Sequence, residues 1–395
     1  MIPVVIVLLK RALVAAKKYG CHVLNLSYGE SSWQFNSGRV SKVFASAVHD
    51  WGMAVFTSAG NDGPALSSIG SPGSESAPIT VGAWVSPEMM KEQYSTLPPH
   101  DDDDPLEGAS YYFSSRGPTP DGALPDICAP GGAISPIPRH SLQGKAQYHG
   151  TSMSSPNACG VAACILSAVK QKGVDCNPIE LKRALVNTAA PNGIVDVFAQ
   201  GPGVVSANKC AEYIISHHGK VGQNIAFDVS IPARNNARGI YIRDEIELEG
   251  PMTFTVQINP KFSHSKLRTA SEMDELLSLE LNLLLKTNAD WVVCPDSMTL
   301  LSATERNGQT FSVRLNTQTL SPGVHYTTVD AIHANDPSRG AMFSLPITVI
   351  VPHSKFISND DEEEGVSLKE NGLDLSTTFH LKPGLPKRRF VTIPR

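Results

Sequence analysis

The chain has 395 residues, which is more than one hydrophobic core usually organises, so its length predicts two or three domains. Its 33 basic and 38 acidic residues give a net charge of −5, and the composition is 18% charged and 41% hydrophobic. This balance excludes the basic excess of a nucleic-acid-binding protein and the apolar-poor composition of a disordered chain. We therefore expect an enzyme-like globular protein with no nucleic-acid partner.

The first half of the chain alternates helical and strand-like segments. Residues 7–18 carry apolar side chains at helical spacing, and a short β-rich run follows after Gly20. The predicted elements in chain order are helix 7–18, strand 22–27, helix 40–51, strand 54–58, helix 152–171 and helix 178–189. Strands that alternate with helices predict βαβ units, so we expect an α/β domain with a mainly parallel sheet over residues 1–215.

After about Gly219 the pattern changes to strands of period two without intervening helices. The predicted strands lie near residues 227–231, 254–258, 279–285, 311–315 and 347–351. Several short alternating strands with turn signals between them predict an Ig-like β-sandwich over residues 220–352. The acidic run Asp360–Glu364 predicts an exposed linker over 353–368, and residues 369–395 are expected to begin a further, truncated β domain.

The cysteines and the apolar segments indicate in which cellular compartment the protein is expected. The seven cysteines include no CxxC pair, so we expect neither a disulfide framework nor a zinc site, and a reducing cytoplasmic compartment fits. The apolar stretch 2–9 contains Pro3, lacks a preceding basic region and is followed by Lys10 and Arg11, which is not the pattern of a signal peptide. No uninterrupted apolar run reaches 18 residues, so no membrane span is expected.

No cofactor or metal motif occurs in the chain. The acidic run Asp101–Asp104 predicts a solvated surface loop. A calcium site is the alternative, but four consecutive aspartates lack the alternate-position spacing of a calcium loop. We therefore expect no cofactor and no metal ion.

Ser152 is the candidate nucleophile. It lies in the segment His149–Pro156, at the predicted start of a long helix. Gly150 permits close approach of a substrate, and the helix dipole and the Ser152 backbone N–H favour a developing oxyanion. The alternative is that Ser152 only caps the helix, which is the commonest role of a serine there.

Three further features surround this motif in sequence. Asn61 follows a strand in the segment Ser58–Pro64 and could direct its amide into a cleft, although asparagine is also common in turns. Residues Asn25–Glu30 leave the first strand with backbone groups available to an extended peptide. The segments Phe113–Pro118 and Asp126–Gly131 are rich in turn residues.

These segments, in this order and spacing, resemble the C-terminal half of a subtilisin-like serine peptidase domain over residues 7–215. The resemblance implies that Ser152 is the nucleophile and that Asn61 supplies the oxyanion-hole side chain. It also implies roles for two short segments. Ser27, Tyr28 and Gly29 would pair with the substrate backbone, and Ser58, Ala59 and Gly60 would form the wall of the first specificity pocket.

Within that family, the chain resembles the tripeptidyl-peptidase II group. The segments that carry the resemblance are Ser27–Glu30, Val85–Met90, Ser152–Gly160, Val197–Gly201, Gly239–Asp244 and Phe379–Gly384. The resemblance implies a cytosolic exopeptidase that releases tripeptides from free N-termini, as a large homo-oligomer. It also implies that Glu30 binds the α-ammonium group of the substrate, whereas Glu30 alone would be interpreted as a surface carboxylate.

The chain departs from the family at the general base. The family's aspartate lies in an Asp-Thr/Ser-Gly turn and its histidine in a His-Gly-Thr-His helix start, and neither motif occurs here. His149 is the histidine nearest to Ser152 in sequence, but we expect it to line the rim rather than to act as the base. A second N-terminus-binding glutamate would also lie upstream. We therefore expect a fragment without measurable peptidase activity, because a serine nucleophile needs its base.

Two alternative functions remain open on sequence. A secreted subtilisin-like endopeptidase would need a signal peptide and no carboxylate for the substrate N-terminus. A non-catalytic binding or assembly module would fit the missing histidine and aspartate motifs.

Overall fold

The computed structural model describes residues 3–32, 34–94, 108–136, 145–262, 274, 277–301, 308–352, 354–355, 388 and 390–392. The predicted acidic loop at Asp101–Asp104, the acidic linker and most of the expected last β segment lie outside these residues.

The first half folds around a sheet with helices on both faces. Its elements are α1 (Pro3–Lys18), β1 (Val23–Leu26), α2 (Gly38–Ala45), β2 (Ala54–Ser58), β3 (Ile79–Val85), α3 (Pro87–Tyr94), β4 (Ala109–Ser110), β5 (Ile127–Pro130), β6 (Gly132–Pro136), β7 (Lys145–His149), α4 (Thr151–Gln171), α5 (Pro178–Thr188), α6 (Val197–Gln200) and α7 (Ala207–His217). Strands β1, β2, β3 and β5 pair in parallel in that order, and β4 joins β3 antiparallel. The predicted α/β class with a mainly parallel sheet is confirmed.

Strand β2 shows how this sheet is covered. All five of its residues are buried. Ala54 and Phe56 pack with residues of α4, α5 and α7, whereas Val55 packs with residues of α1 and α2. Because successive side chains point to opposite faces of a strand, helices must cover both faces.

Two local features differ from the expectation. The helix predicted at 40–51 is interrupted, since α2 ends at Ala45 and Ser46–Asp50 form a π-helical turn. Strand β3 escaped prediction, because a strand that is buried on both faces has a continuous apolar run without period two.

Helix α4 is the central helix of this half. Ala158, Ala162, Ile165 and Val169 are buried against the sheet at intervals of three or four residues. Among the described residues it is the one helix with the length and composition of a membrane span, although the rule of an uninterrupted apolar run did not select it. Its packing against β1, β2, β3 and β5 accounts for its apolar character.

The second half is a two-sheet sandwich. Its strands are β8 (Ile225–Ser230), β9 (Ile240–Ile242), β10 (Met252–Phe262), β11 (Glu280–Lys286), β12 (Val292–Val293), β13 (Ser297–Leu301), β14 (Gln309–Leu315), β15 (Gly323–His333) and β16 (Ala341–Val351), followed by the short pair β17 (Ser354–Lys355) and β18 (Val391–Thr392). One sheet has the order β12-β14-β10-β8 and the other β13-β11-β15-β16-β9. A single core cluster fills the space between the two sheets. The predicted Ig-like sandwich is confirmed.

The two halves pack directly on each other. Arg183 of α5 donates hydrogen bonds to the carbonyl oxygens of Gly222, Gln223 and Ile225 at the start of the sandwich. Asn187 of α5 donates to the carbonyl oxygen of Arg339 at 2.9 Å. A cavity of about 910 Å³ lies between α5 and the outer face of β15 and β16.

Candidate active site

Helix α4 begins on a glycine, and Ser152 lies in its first turn. The N-cap residue is Gly150, which has no side chain with which to cap the helix, and Ser152 is the second residue of α4. The interpretation of Ser152 as a simple helix cap is therefore wrong. The first N–H groups of a helix lack carbonyl partners within it and form the positive end of its dipole. Ser152 thus presents its hydroxyl and its N–H at an end of the helix that attracts negative charge.

Asn61 is held by the residue that precedes Ser152. Its Oδ1 accepts hydrogen bonds from the N–H and from the hydroxyl of Thr151, both at 2.9 Å. A backbone N–H can only donate, so the amide must present its oxygen to Thr151 and its Nδ2 away from it. The partner of Asn61 thus comes from α4, which distinguishes it from an asparagine that merely closes its own turn.

Two nitrogen atoms that carry hydrogen lie near the space beside Gly150. A Cβ atom on Gly150 would lie 3.6 Å from each of three atoms, which are Asn61 Nδ2, Ser152 N and Met153 Sδ. An oxygen atom near this point can therefore accept hydrogen bonds from both groups. Glycine adds no side chain to this space, which lies directly before Ser152 in the chain.

Side-chain hydrogen bonds tie the first strand to the start of α4. Ser27 Oγ donates to the carbonyl oxygen of Ser152 at 2.9 Å, and Asn25 Nδ2 donates to Ser27 Oγ at 3.0 Å. Ser155 Oγ donates to Asn25 Oδ1 at 2.6 Å. Within the described part of the chain, Ser27, Tyr28 and Gly29 form no backbone–backbone hydrogen bond. An extended peptide can therefore pair with this segment beside Ser152.

Glu30 ends this segment and is held through both its backbone and its side chain. Its N–H and C=O exchange hydrogen bonds with Ser71, both at 2.9 Å. The Tyr28 hydroxyl donates to Glu30 Oε1. This hydrogen bond lowers the pKa of Glu30, so the carboxylate is ionised near neutral pH. An anion in this position can bind an ammonium group.

The segment Ser58–Gly60 runs between Ser115 and Thr151. Ser58 and Ala59 are buried, and Gly60 has a φ of +113°. A Cβ on Gly60 would lie 2.7 Å from Ser115 Oγ, and the Gly60 N–H donates to Thr151 Oγ1 at 3.2 Å. Both the left-handed backbone and the close approach of Ser115 therefore require glycine here.

His149 contacts two tyrosine side chains. Its ring stacks on Tyr94 with centroids 4.8 Å apart, and its Nδ1 lies 3.4 Å from the Tyr111 hydroxyl. Burial lowers the pKa of His149. In the described part of the chain, the ring of His149 thus contacts aromatic neighbours and forms no hydrogen bond with Ser152.

Three residues that organise this site were not identified from the sequence. Thr151 binds both Asn61 and Gly60, Ser115 supports the Gly60 turn through its hydrogen bond to the Asp62 N–H, and Ser71 pairs with Glu30. Thr151 and Ser115 lie inside quoted motifs, but nothing local in the sequence points to Ser71. In the described ranges, no group of three or more His, Cys, Asp or Glu side chains is placed to hold a metal ion.

Comparison with known proteins matches both halves of the chain. Residues 7–212, just over half of the chain, match the model of the subtilase family. The chain belongs to the subtilase family. Residues 225–350 match the model described as tripeptidyl-peptidase II, first Ig-like domain. The resemblance to the tripeptidyl-peptidase II group of subtilases is thereby confirmed.

Individual relatives agree with these matches. The chain is 38% identical over 352 residues to tripeptidyl-peptidase 2 of Arabidopsis thaliana, covering 87% of this chain and 24% of that protein. It is 32% identical over 376 residues to tripeptidyl-peptidase 2 of Drosophila melanogaster, covering 94% of this chain and 25% of that protein. A crystal structure of tripeptidyl peptidase 2 superposes with a TM-score of 0.71 at 28% identity, covering 89% of this chain and 26% of that one. This subtilase chain therefore spans about a quarter of the length of the relatives it matches.

Proposed function

We propose that this chain carries the nucleophile, the oxyanion hole and an N-terminus-binding carboxylate of a serine exopeptidase that releases tripeptides from free peptide N-termini. The observation that carries the proposal is the convergence of Asn61 Nδ2 and Ser152 N on the space beside Gly150, next to the Ser152 hydroxyl. The similarity to tripeptidyl-peptidase 2 of two organisms supports the exopeptidase assignment.

In the proposed acyl transfer, each of these groups has a role. Ser152 Oγ would attack the scissile carbonyl carbon and lose its proton to a general base, while the carbonyl oxygen becomes an anion. Asn61 Nδ2 and the Ser152 N–H would donate hydrogen bonds to that oxygen. The leaving amine takes a proton, and water then hydrolyses the acyl-enzyme. His149, the histidine nearest to Ser152 in sequence, contacts Tyr94 and Tyr111 and is not proposed as the base.

The position of Glu30, in the segment that follows the first strand, supports a tripeptide as the product. Ser27 contacts Ser152, and Glu30 lies three residues further on. Three extended residues span at most about 10 Å, which is also the reach of a bound tripeptide. A substrate ammonium group held by Glu30 would therefore place its third peptide bond near Ser152.

We also propose that the 395-residue chain alone has no measurable peptidase activity, because it lacks the family's aspartate and histidine motifs. A fluorogenic tripeptide substrate with the purified chain tests this. Hydrolysis that disappears in Ser152→Ala would contradict the proposal, because it would show that a base is present.

Binding of a tripeptide product tests the site without requiring catalysis. We expect tri-alanine to bind through its ammonium group at Glu30 and its carboxylate at the oxyanion hole, as NMR titration of the chain would show. N-acetylation and Glu30→Gln should each weaken binding by about tenfold, which corresponds to the loss of one charge-assisted hydrogen bond. The control Glu249→Gln makes the same change on the exposed surface of the sandwich. Equal affinity for free and acetylated peptides would exclude the exopeptidase assignment.

We further propose a cytoplasmic location and assembly into a large homo-oligomer in the longer protein. The free thiols of all seven cysteines support a reducing compartment. Cell fractionation and sedimentation of the protein purified from its native source would test the two statements.

A further inference from the structure

The turn at Gly70–Glu75 lies between the substrate-binding segments and the sandwich. Ser71 pairs with Glu30, as described above, and the Gly70 N–H donates to the Ala59 carbonyl oxygen at 3.4 Å. A Cβ on Gly73 would lie 2.9 Å from the Ser58 carbonyl oxygen, so the turn also packs tightly on the Ser58–Gly60 wall. Any displacement of this turn must therefore move Glu30 or the wall.

The other side of the turn is held by the sandwich. Arg238, in the connection between β8 and β9, donates from Nη2 to the Ser74 carbonyl oxygen at 2.7 Å. The same guanidinium pairs with Asp121 through Nε at 2.5 Å and through Nη2 at 3.2 Å. Asp121 is fully buried, Ser74 is fully buried, and the Arg238 side chain is 19% exposed. One arginine thus joins a buried carboxylate and a buried carbonyl of the subtilase half.

The surrounding backbone fits this contact closely. The Gly239 N–H donates to the Asp121 carbonyl oxygen at 2.8 Å. A Cβ on Gly122 would lie 2.8 Å from the Gly239 carbonyl carbon, so the two backbones are in close contact next to Asp121 and Arg238. The Glu75 carboxyl group lies close enough to Arg238 for the two to interact electrostatically, and its Oε2 has no hydrogen-bond partner in the described part of the chain. These contacts therefore fix the position of the sandwich on the Gly70–Glu75 turn.

We propose that Arg238 is a positioning residue that couples the sandwich to Glu30 through the Gly70–Glu75 turn. The physical coupling stands on the contacts above, and its effect on tripeptide recognition rests on the proposed function of Glu30. The sandwich then contributes to the length selectivity of the site without touching the substrate. Arginine is suited to this role because its planar fork donates in two directions at once, which a lysine ammonium does not reproduce.

The variant Arg238→Lys keeps the positive charge beside Asp121 and removes the hydrogen bond to the Ser74 carbonyl oxygen. The matched control is Arg234→Lys, because Arg234 pairs with Glu247 at 2.7 Å and donates to the Tyr241 carbonyl oxygen at 3.0 Å, entirely within the sandwich. Both variants therefore lose the paired donors of one guanidinium group, which bind across the domain contact at Arg238 and within the sandwich at Arg234.

Amide hydrogen exchange measures the coupling directly. We expect the Glu30 and Ser71 amides, which form the bridge, to exchange about tenfold faster in Arg238→Lys and less than twofold faster in Arg234→Lys. Unchanged exchange at Glu30 and Ser71 in Arg238→Lys would overturn the proposal. If Arg238→Lys does not fold, hydrogen exchange of the wild-type chain at increasing urea concentrations tests the coupling instead. We then expect the amides of Gly239, Glu30 and Ser71 to become exposed in a single opening reaction with one free energy. Different opening free energies for these amides would overturn the coupling.

Tripeptide binding measures the functional consequence. We expect Arg238→Lys to weaken tri-alanine binding by about fivefold and to leave N-acetylated tri-alanine unchanged, since only the former depends on Glu30. Faster exchange with unaltered tri-alanine affinity would overturn the role in recognition. If the wild-type chain binds both peptides equally, the proposed function fails, while the exchange measurement still decides whether Arg238 holds the turn.

Discussion

The sandwich core and the corner around Ser152 are built on different principles. The sandwich is held by one apolar cluster in which alternate residues of most strands are buried, such as Leu281, Leu283 and Leu285 of β11. The corner around Ser152 has hydrogen bonds between four separate segments, contributed by residues such as Ser27, Asn61, Ser115 and Thr151. A repeating apolar pattern thus specifies the first region, whereas single polar atoms specify the second.

The largest expected effect separates the two regions by stability. Leu283→Ala removes a fully buried side chain from the sandwich core and should lower the free energy of unfolding by about 2–5 kcal/mol. Urea denaturation measures it. The control is Leu301→Ala, because Leu301 lies at the end of neighbouring β13 and is 41% exposed. Equal losses in both variants would show that burial does not determine the stability of this region.

A hydroxyl deletion should distinguish the corner from the sandwich. Thr151→Val leaves the Gly60 N–H without its acceptor and Asn61 Oδ1 without one donor, which should cost about 1–2 kcal/mol of unfolding free energy. Thr299→Val removes a similar bond, from Thr299 Oγ1 to Asn282 Oδ1 at 2.7 Å, on the exposed face of the sandwich. We expect this control to change stability by less than about 0.5 kcal/mol in the same urea titration. A larger loss in the control would contradict the comparison.

Gly150 should affect binding without affecting stability. Its φ of 162° is extended, and an added Cβ would meet its neighbours at 3.6 Å, so Gly150→Ala introduces no strain. The methyl group would nevertheless occupy the space between Asn61 Nδ2 and Ser152 N. We expect the melting temperature to stay unchanged and tri-alanine affinity to fall about tenfold, as NMR titration would show. Retained affinity would show that the peptide carboxylate does not bind there.

The smallest expected effect is a pH dependence at the domain contact. Burial raises the pKa of Glu75 above its ordinary value of 4.5, so the folded protein binds this proton more tightly than the unfolded chain. The resulting stability is present below pH 4.5 and is lost as the pH rises through the raised pKa. Glu75→Gln should remove this part of the pH dependence, measured as melting temperature against pH. An identical profile in both proteins would contradict the assignment.

Much of the fold was predictable because it follows from repeating patterns. The apolar face of α1 and the alternation in β10, β11 and β14 identify these elements directly. Strand β3 was missed because a strand buried on both faces carries no period, and the π-helical turn at Ser46–Asp50 has no comparable sequence signal. The short strands β6, β7 and β9 were also not predicted, because so few residues show no period.

Amino-acid sequence alone determined the chemistry available at the site. The motif around Ser152, the asparagine after β2 and the absence of the family's histidine and aspartate motifs are all local patterns, so they can be identified without coordinates. Tertiary structure alone decided which atoms meet. Asn61 Nδ2 lies beside Gly150 while its Oδ1 is bound by Thr151, 90 residues away, and Arg238 reaches Ser74 across 164 residues. Such contacts depend on how the sheet and the sandwich pack, and local sequence carries no record of a partner so distant along the chain.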